Sequence, residues 1–175
     1  MSIDPLEYLE AIGHLPDQEI DIAPSAICLA AVSGGQYKGR NFDRYFHHLK
    51  VIAEEVGQRY ESLMEAGADD TPETQIAALK HVLADKFGYC GDEDDYDNLR
   101  NADLIAVIDR ARGMPIALSI LYIHAGRAQG WDVEGINFPG HFMVRIERAG
   151  RRVILDPFNG CDLVEAPGLR AMLKN

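Results

Sequence analysis

Apolar residues along this 175-residue chain fall first into helical spacing and then, from about residue 131, into strand alternation. Asp4-Pro5 opens the first helix, a capping side chain followed by proline at the first helical position, and the pattern runs to about Gly13. Pro24 starts a second, apolar helix over residues 25–32, closed by Ser33-Gly34-Gly35. Asn41 or Asp43 caps a long helix reaching about Ala66, with Tyr45, Leu49, Ile52, Val56, Tyr60 and Leu63 on one face. Thr71-Pro72-Glu73 begins another, carrying Ile76, Leu79, Val82 and Leu83 to about Gly88. Asn101 or Asp103 opens a helix with Leu104, Ile105, Val107 and Ile108, stopped by Gly113. The next helix starts at Pro115 and stays apolar nearly all round to Gly130, the pattern of an element buried at the centre of a domain.

Residues 131–137 read as a strand, and residues 138–160 as a β-hairpin turning at Ala149-Gly150. With residues 148 and 151 closing the loop, Val144 lies opposite Leu155 and Ile146 opposite Val153, an apolar face ready for burial. On the other face Glu147 meets Arg152, an opposite-charge cross-strand pair. That register also puts His141 and Asp156 on one face, along a diagonal of about 7–8 Å between backbones. Pro139-Gly140 launches the first strand and Asp156-Pro157 ends the second, so both polar groups sit at the end of the hairpin where strands give way to loops. An imidazole held by a carboxylate is the orienting half of a catalytic triad, although the same pair also serves as a plain structural hydrogen bond. Leu163-Val164 adds an edge strand and Pro167 starts a short last helix.

The order helix, strand, strand, strand predicts an α+β fold in which a buried central helix packs on a small antiparallel sheet. Residues 1–100 form a helical layer on a core of residues 101–175, one structural domain overall. A nucleophile at the start of that helix would have its pKa lowered by the helix dipole, and would face His141 if the helix start lies over that end of the sheet.

Charge adds a second asymmetry. The net charge is −11, and residues 1–105 hold 21 acidic against eight basic side chains, whereas the remaining 70 are nearly balanced. An acidic surface argues against nucleic acid, which needs clustered Lys and Arg. No run approaches the roughly 18 apolar residues of a membrane span, and the first residues lack the basic and apolar regions of a signal peptide. Cys28, Cys90 and Cys161 are an odd number at no metal-like spacing, which predicts free thiols in a reducing cytoplasm and no metal or other cofactor. Residues 91–98 gather five carboxylates, but Tyr96 stands where the third ligand of a calcium loop belongs and no glycine follows it, so the segment reads as a solvated loop. His47 and His48 lack any Glu-x-x-His arrangement and read as surface or groove residues.

The element order resembles the core of the transglutaminase-like superfamily, a papain-type fold with Gly-x-Cys at the start of a buried helix, His on one strand and Asp-Pro at the end of the next. The run Arg112-Gly-Met-Pro-Ile-Ala-Leu-Ser-Ile-Leu-Tyr, with Asn-Phe-Pro-Gly-His-Phe and Leu-Asp-Pro-Phe-Asn-Gly, is similar to the bacterial SirB-type branch, whose module also appears in some eukaryotic F-box proteins. Tyr89 to Leu104, with Gly91, Tyr96 and Asn101, resembles the segment preceding the core in that branch. The resemblance implies that His141 and Asp156 match the catalytic histidine and aspartate, that Gly113 matches the glycine of Gly-x-Cys, and that Pro115 occupies the cysteine position. Ser119 falls one turn further in, at a packing position. SirB-type proteins continue into tetratricopeptide-like helical repeats, and these residues contain none.

Two functions follow from this reading. The first is a non-catalytic domain that binds a protein or peptide in the old cleft, with oligomeric state open. The second is a hydrolase or transamidase acting on amide bonds, with Cys90 or Cys161 as a displaced nucleophile, His141 as base and Asp156 as orienter. A water activated by His141 and Asp156 is a third. Cys28, on an apolar helix, reads as core.

Overall fold

Helices begin at Asp4, Thr71 and Asp103, where a capping side chain turns extended backbone into helix. The computed structural model describes residues 2–174. Helix α1 (Pro5–Ile12) is capped by Asp4, whose side chain accepts from the Leu6 and Glu7 amides. Helix α2 (Ile22–Val32) begins two residues before the proline expected to start it. Proline is tolerated throughout a first turn because those amides have no helical partner, and Asp21 O already accepts the Ser25 amide and hydroxyl. Helix α3 (Asp43–Glu65) has Phe42 at its cap, and Asn41 instead accepts from the Asp43 amide at 2.7 Å. Its inner face is Tyr45, Leu49, Ile52 and Val56, while Tyr60 meets Trp131 edge-on.

Helix α4 (Pro72–Leu79), capped by Thr71, runs on as a π-helix over Lys80–Lys86. The Phe87 amide reaches back five residues to Val82 O, and the adjacent Val82 and Leu83 are both buried. The sequence pattern shows a continuous helix here, because a π-bulge leaves hydrophobic spacing almost unchanged. Strand β1 (Cys90–Gly91) follows. Asp103 then caps helix α5 (Leu104–Arg110), which stops at Ala111 in the left-handed region and not at Gly113. Gly113 serves packing instead: a Cβ there would lie 3.0 Å from a Val107 methyl.

Strand β2 (Arg112–Gly113) pairs in parallel with β1 and leads directly into helix α6 (Pro115–Arg127). Leu118, Leu121, Tyr122 and Ala125 of α6 are fully or almost fully excluded from solvent. They pack in one apolar core with Ile52 of α3 and Leu79 of α4, and burying each large aliphatic side chain contributes about 2 kcal/mol.

The sheet on which α6 rests has the order β3 (Asp132–Phe138), β4 (His141–Arg148), β5 (Arg151–Asp156) and β6 (Asp162–Val164), all antiparallel. The β4–β5 ladder pairs Val144 with Leu155, Ile146 with Val153 and Glu147 with Arg152, as the alternation requires. Val144, Ile146 and Leu155 are fully buried, and Arg152 bonds Glu147 at 2.9 Å. Helix α7 (Ala166–Met172) ends the described chain.

Candidate functional site

The hairpin delivers its two polar residues to one point. His141 is the first residue of β4 and Asp156 the last of β5, and His141 Nε2 lies 2.8 Å from Asp156 Oδ2. The imidazole keeps 17% of its side-chain surface exposed and the carboxylate 2%. A carboxylate so buried needs several donors. Besides the imidazole, Asn159 Nδ2 donates to Oδ2 at 2.7 Å, and the Phe158 and Asn159 amides donate to Oδ1 at 3.1 and 3.4 Å. This Asx turn follows from Asp-Pro-Phe-Asn, because Pro157 has no N–H and the next two amides fold back onto the side chain. An acceptor so placed draws the imidazole hydrogen to Nε2 and leaves Nδ1 as the ring's acceptor.

Asn159 is a site residue that sequence reading missed, although its spacing from Asp156 was the available signal. Phe158 is another. Its ring is the shared neighbour of His141, edge-on at 6.1 Å between centroids, of Tyr96 at 5.7 Å, and of Gly91. A Cβ on Gly91 would come within 2.5 Å of that ring, so only glycine lets Phe158 lie there.

A short backbone clasp joins this end of the sheet to the start of α6. The Gly91 amide donates to Phe158 O at 2.9 Å, Gly91 pairs with Gly113, and the Asp92 amide donates to Gly113 O at 3.2 Å. One hydrogen bond and one strand spacing of about 4.8 Å therefore link the loop after β5 to the residue two before Pro115. Asn101, buried, completes the clasp: its Nδ2 donates to Asp95 O and Tyr96 O, its Oδ1 accepts from Arg110, and its own carbonyl accepts from the Met114 amide. Asp92 is also buried and bonded by Arg110 at 2.6 Å, which holds its carboxyl below the usual carboxylate range. The rest of the acidic loop, Glu93 to Asp97, is exposed. Among the described residues no group of three or more His, Cys, Asp or Glu side chains converges as a metal site.

The nucleophile candidates separate clearly. Pro115 is buried at the first position of α6, and Ser119 spends its hydroxyl on Pro115 O at 2.7 Å. Cys28 is fully buried, and burial pushes its thiol up to about 11. Cys161 is 1% exposed in the left-handed region, and burial pushes its thiol up to about 12. Cys90 is half-buried at the edge of a cavity of about 450 Å³ that Asp92, Phe158 and Asn159 also line. His48 is half-buried with Nε2 2.7 Å from the Tyr89 hydroxyl, and His47 is exposed.

With that geometry in view, the comparisons place the chain. Residues 43–175 match the family model described as the transglutaminase-like superfamily, and the chain belongs to that superfamily. It is 37% identical over 100 residues to a UPF0162 protein of Xylella fastidiosa (strain 9a5c), covering 57% of this chain and 36% of that protein. A UPF0162 protein of Vibrio cholerae is 33% identical over 100 residues, covering 57% and 37% of the two chains. Human F-box only protein 21 is 35% identical over 84 residues, 48% of this chain and 13% of that one. The matches thus span little more than a third of the length of these two bacterial relatives. No solved structure matches the chain. No described helix is long and apolar enough to cross a membrane.

Proposed function

We propose that this chain is a non-catalytic, SirB-type transglutaminase-like domain that binds a protein or peptide segment in the cleft bounded by His141, Phe158 and the start of α6. One observation carries the reading: the His141–Asp156 pair is fully assembled while the helix start to which it is clasped presents Pro115, which has no nucleophile. Burial of Cys161 and its raised thiol remove it as a substitute at neutral pH. In a binding role His141 offers Nδ1 as an acceptor to a donor on the partner, and Asp156 with Asn159 keeps the ring oriented. Three free thiols among the described residues suit a reducing cytoplasm.

The rival enzyme has Cys90 as its one accessible thiol, supported by the cavity at its edge. Iodoacetamide labelling near neutral pH, read by mass spectrometry, separates the two. The binding role predicts slow labelling of all three cysteines, unchanged in His141→Ala. Rapid labelling of Cys90 that His141→Ala abolishes would establish the enzyme and end the binding-only reading.

A further inference from the structure

The π-helix over Lys80–Lys86 changes which of its side chains share a face. In an α-helix two residues five apart point about 140° away from each other. Bonding from each amide to the carbonyl five residues back returns such a pair to one side, a turn apart. The π-helix therefore sets His81 and Lys86 together, and both face α3. They line a cleft of about 220 Å³ whose opposite wall carries Glu55 and Arg59 of α3.

On a chain of net charge −11 this cleft is lined by cations. Arg59, His81 and Lys86 stand against one carboxylate, Glu55, which already bonds Lys86 at 2.7 Å. Glu55 and Arg59 are four residues apart on α3, the spacing at which a glutamate and a following cation pair on a helix. Glu55 nevertheless crosses to Lys86. Arg59 is left half-buried with its Nε enclosed and unbonded, and no carboxylate pairs with it among the described residues. An enclosed cation without counter-charge is costly, and an anion in the cleft supplies that charge. Lys86 keeps two of its three N–H donors beyond Glu55, and the exposed His81 ring offers another.

We propose that the cleft between α3 and the π-helix binds the phosphoryl group of a small phosphate monoester, held by Arg59 and Lys86 with His81 as a third donor. Three donor groups from two elements match the three terminal oxygens of such a group. Its charge of about −1.5 to −2 near neutral pH also balances Arg59 and Lys86 more fully than a carboxylate does. The volume admits a phosphate with a small organic group and falls short of the roughly 300–1,000 Å³ of pockets for larger ligands. None of these residues belongs to the His141 cleft, so the proposal does not depend on how that histidine is used.

The test is isothermal titration calorimetry on the full chain with glycerol 3-phosphate, at an ionic strength held constant with sodium chloride. Glycerol 3-phosphate is expected to bind saturably and to be displaced by inorganic phosphate, whereas glycerol and acetate give only heats of dilution. Arg59→Gln removes a charge that holds no ion pair in the protein, and is expected to weaken binding about tenfold. Lys86→Gln and His81→Gln are each expected to weaken it several-fold. Glu55→Gln releases Lys86 and is expected to strengthen binding several-fold, a gain that loss of a merely structural ion pair would not produce. Arg127→Gln, at a separate cavity, is expected to leave binding unchanged. No binding, equal binding of acetate, failure of phosphate to compete, or no effect of Arg59→Gln overturns the proposal. So does loss of binding in Arg127→Gln with none in Arg59→Gln, since that moves the phosphoryl group to the other cavity.

Discussion

Two pieces of backbone meet at Phe158, beside His141, and they are built on opposite principles. The β4–β5 hairpin is local: its turn, its alternation and its charge pair all lie within residues 141–156, and together they fix the register. The clasp is less local: Cys90 and Gly91 pair with Arg112 and Gly113, the Gly91 amide bonds the still more distant Phe158 O, and Asn101 bonds the Met114 amide. The hairpin orients His141 on Asp156. The clasp decides what that pair is placed beside. Orientation is thus robust to change elsewhere, and α6 is held to the sheet by the apolar core, whereas the link from the loop after β5 to the start of α6 depends on a few glycine contacts.

Substitutions in each piece break this comparison by different amounts. Asp156→Ala has the largest expected effect, because it leaves the Phe158 and Asn159 amides, the Asn159 side chain and His141 without their acceptor. Urea unfolding should show a loss of about 3 kcal/mol, the upper end for a buried hydrogen-bond partner removed. Gly91→Ala attacks the clasp by driving a methyl into the Phe158 ring, and an overpacking cost of about 2 kcal/mol is expected in the same assay. Altered near-ultraviolet circular dichroism from Tyr96 should accompany it, with the hairpin intact.

Asp92→Asn weakens the clasp in a pH-dependent way. The Arg110 bond depresses the Asp92 carboxyl, so its contribution is present above the ordinary carboxylate range and is lost as pH falls through the lowered value. The gap in Tm between the native chain and Asp92→Asn should therefore be widest near neutral pH and close on acidification. A gap constant with pH would rule out the ion pair as its source. The smallest effect strengthens the hairpin instead. Ala149 adopts φ 51° in a two-residue turn whose geometry suits asparagine before glycine, so Ala149→Asn should stabilise by about 0.5–1 kcal/mol.

The same contrast explains what could be read from sequence. The hairpin and the meeting of His141 with Asp156 were legible because strand parity and turn chemistry act over a few residues. The buried character of α6 was legible from its lack of a polar face. The two-residue pairing of β1 with β2 carries no periodicity, and only the family resemblance, not local spacing, separates Gly91 under Phe158 from a flexible loop glycine. The π-helix over Lys80–Lys86 and the left-handed stop at Ala111 have no counterpart in the hydrophobic pattern, and Asn159 was signalled only by its spacing from Asp156, since the bond between them exists once the turn has formed.

In the proposed function the helix start at Pro115 stands in the place of a nucleophile beside the His141–Asp156 pair. Restoring the thiol tests it most directly: Pro115→Cys is made alone and with His141→Ala, and iodoacetamide labelling is followed near neutral pH. The introduced thiol is expected to label about tenfold faster than the three native cysteines and to lose that advantage when His141 is removed. An introduced thiol that labels at the same rate with and without His141 would contradict it.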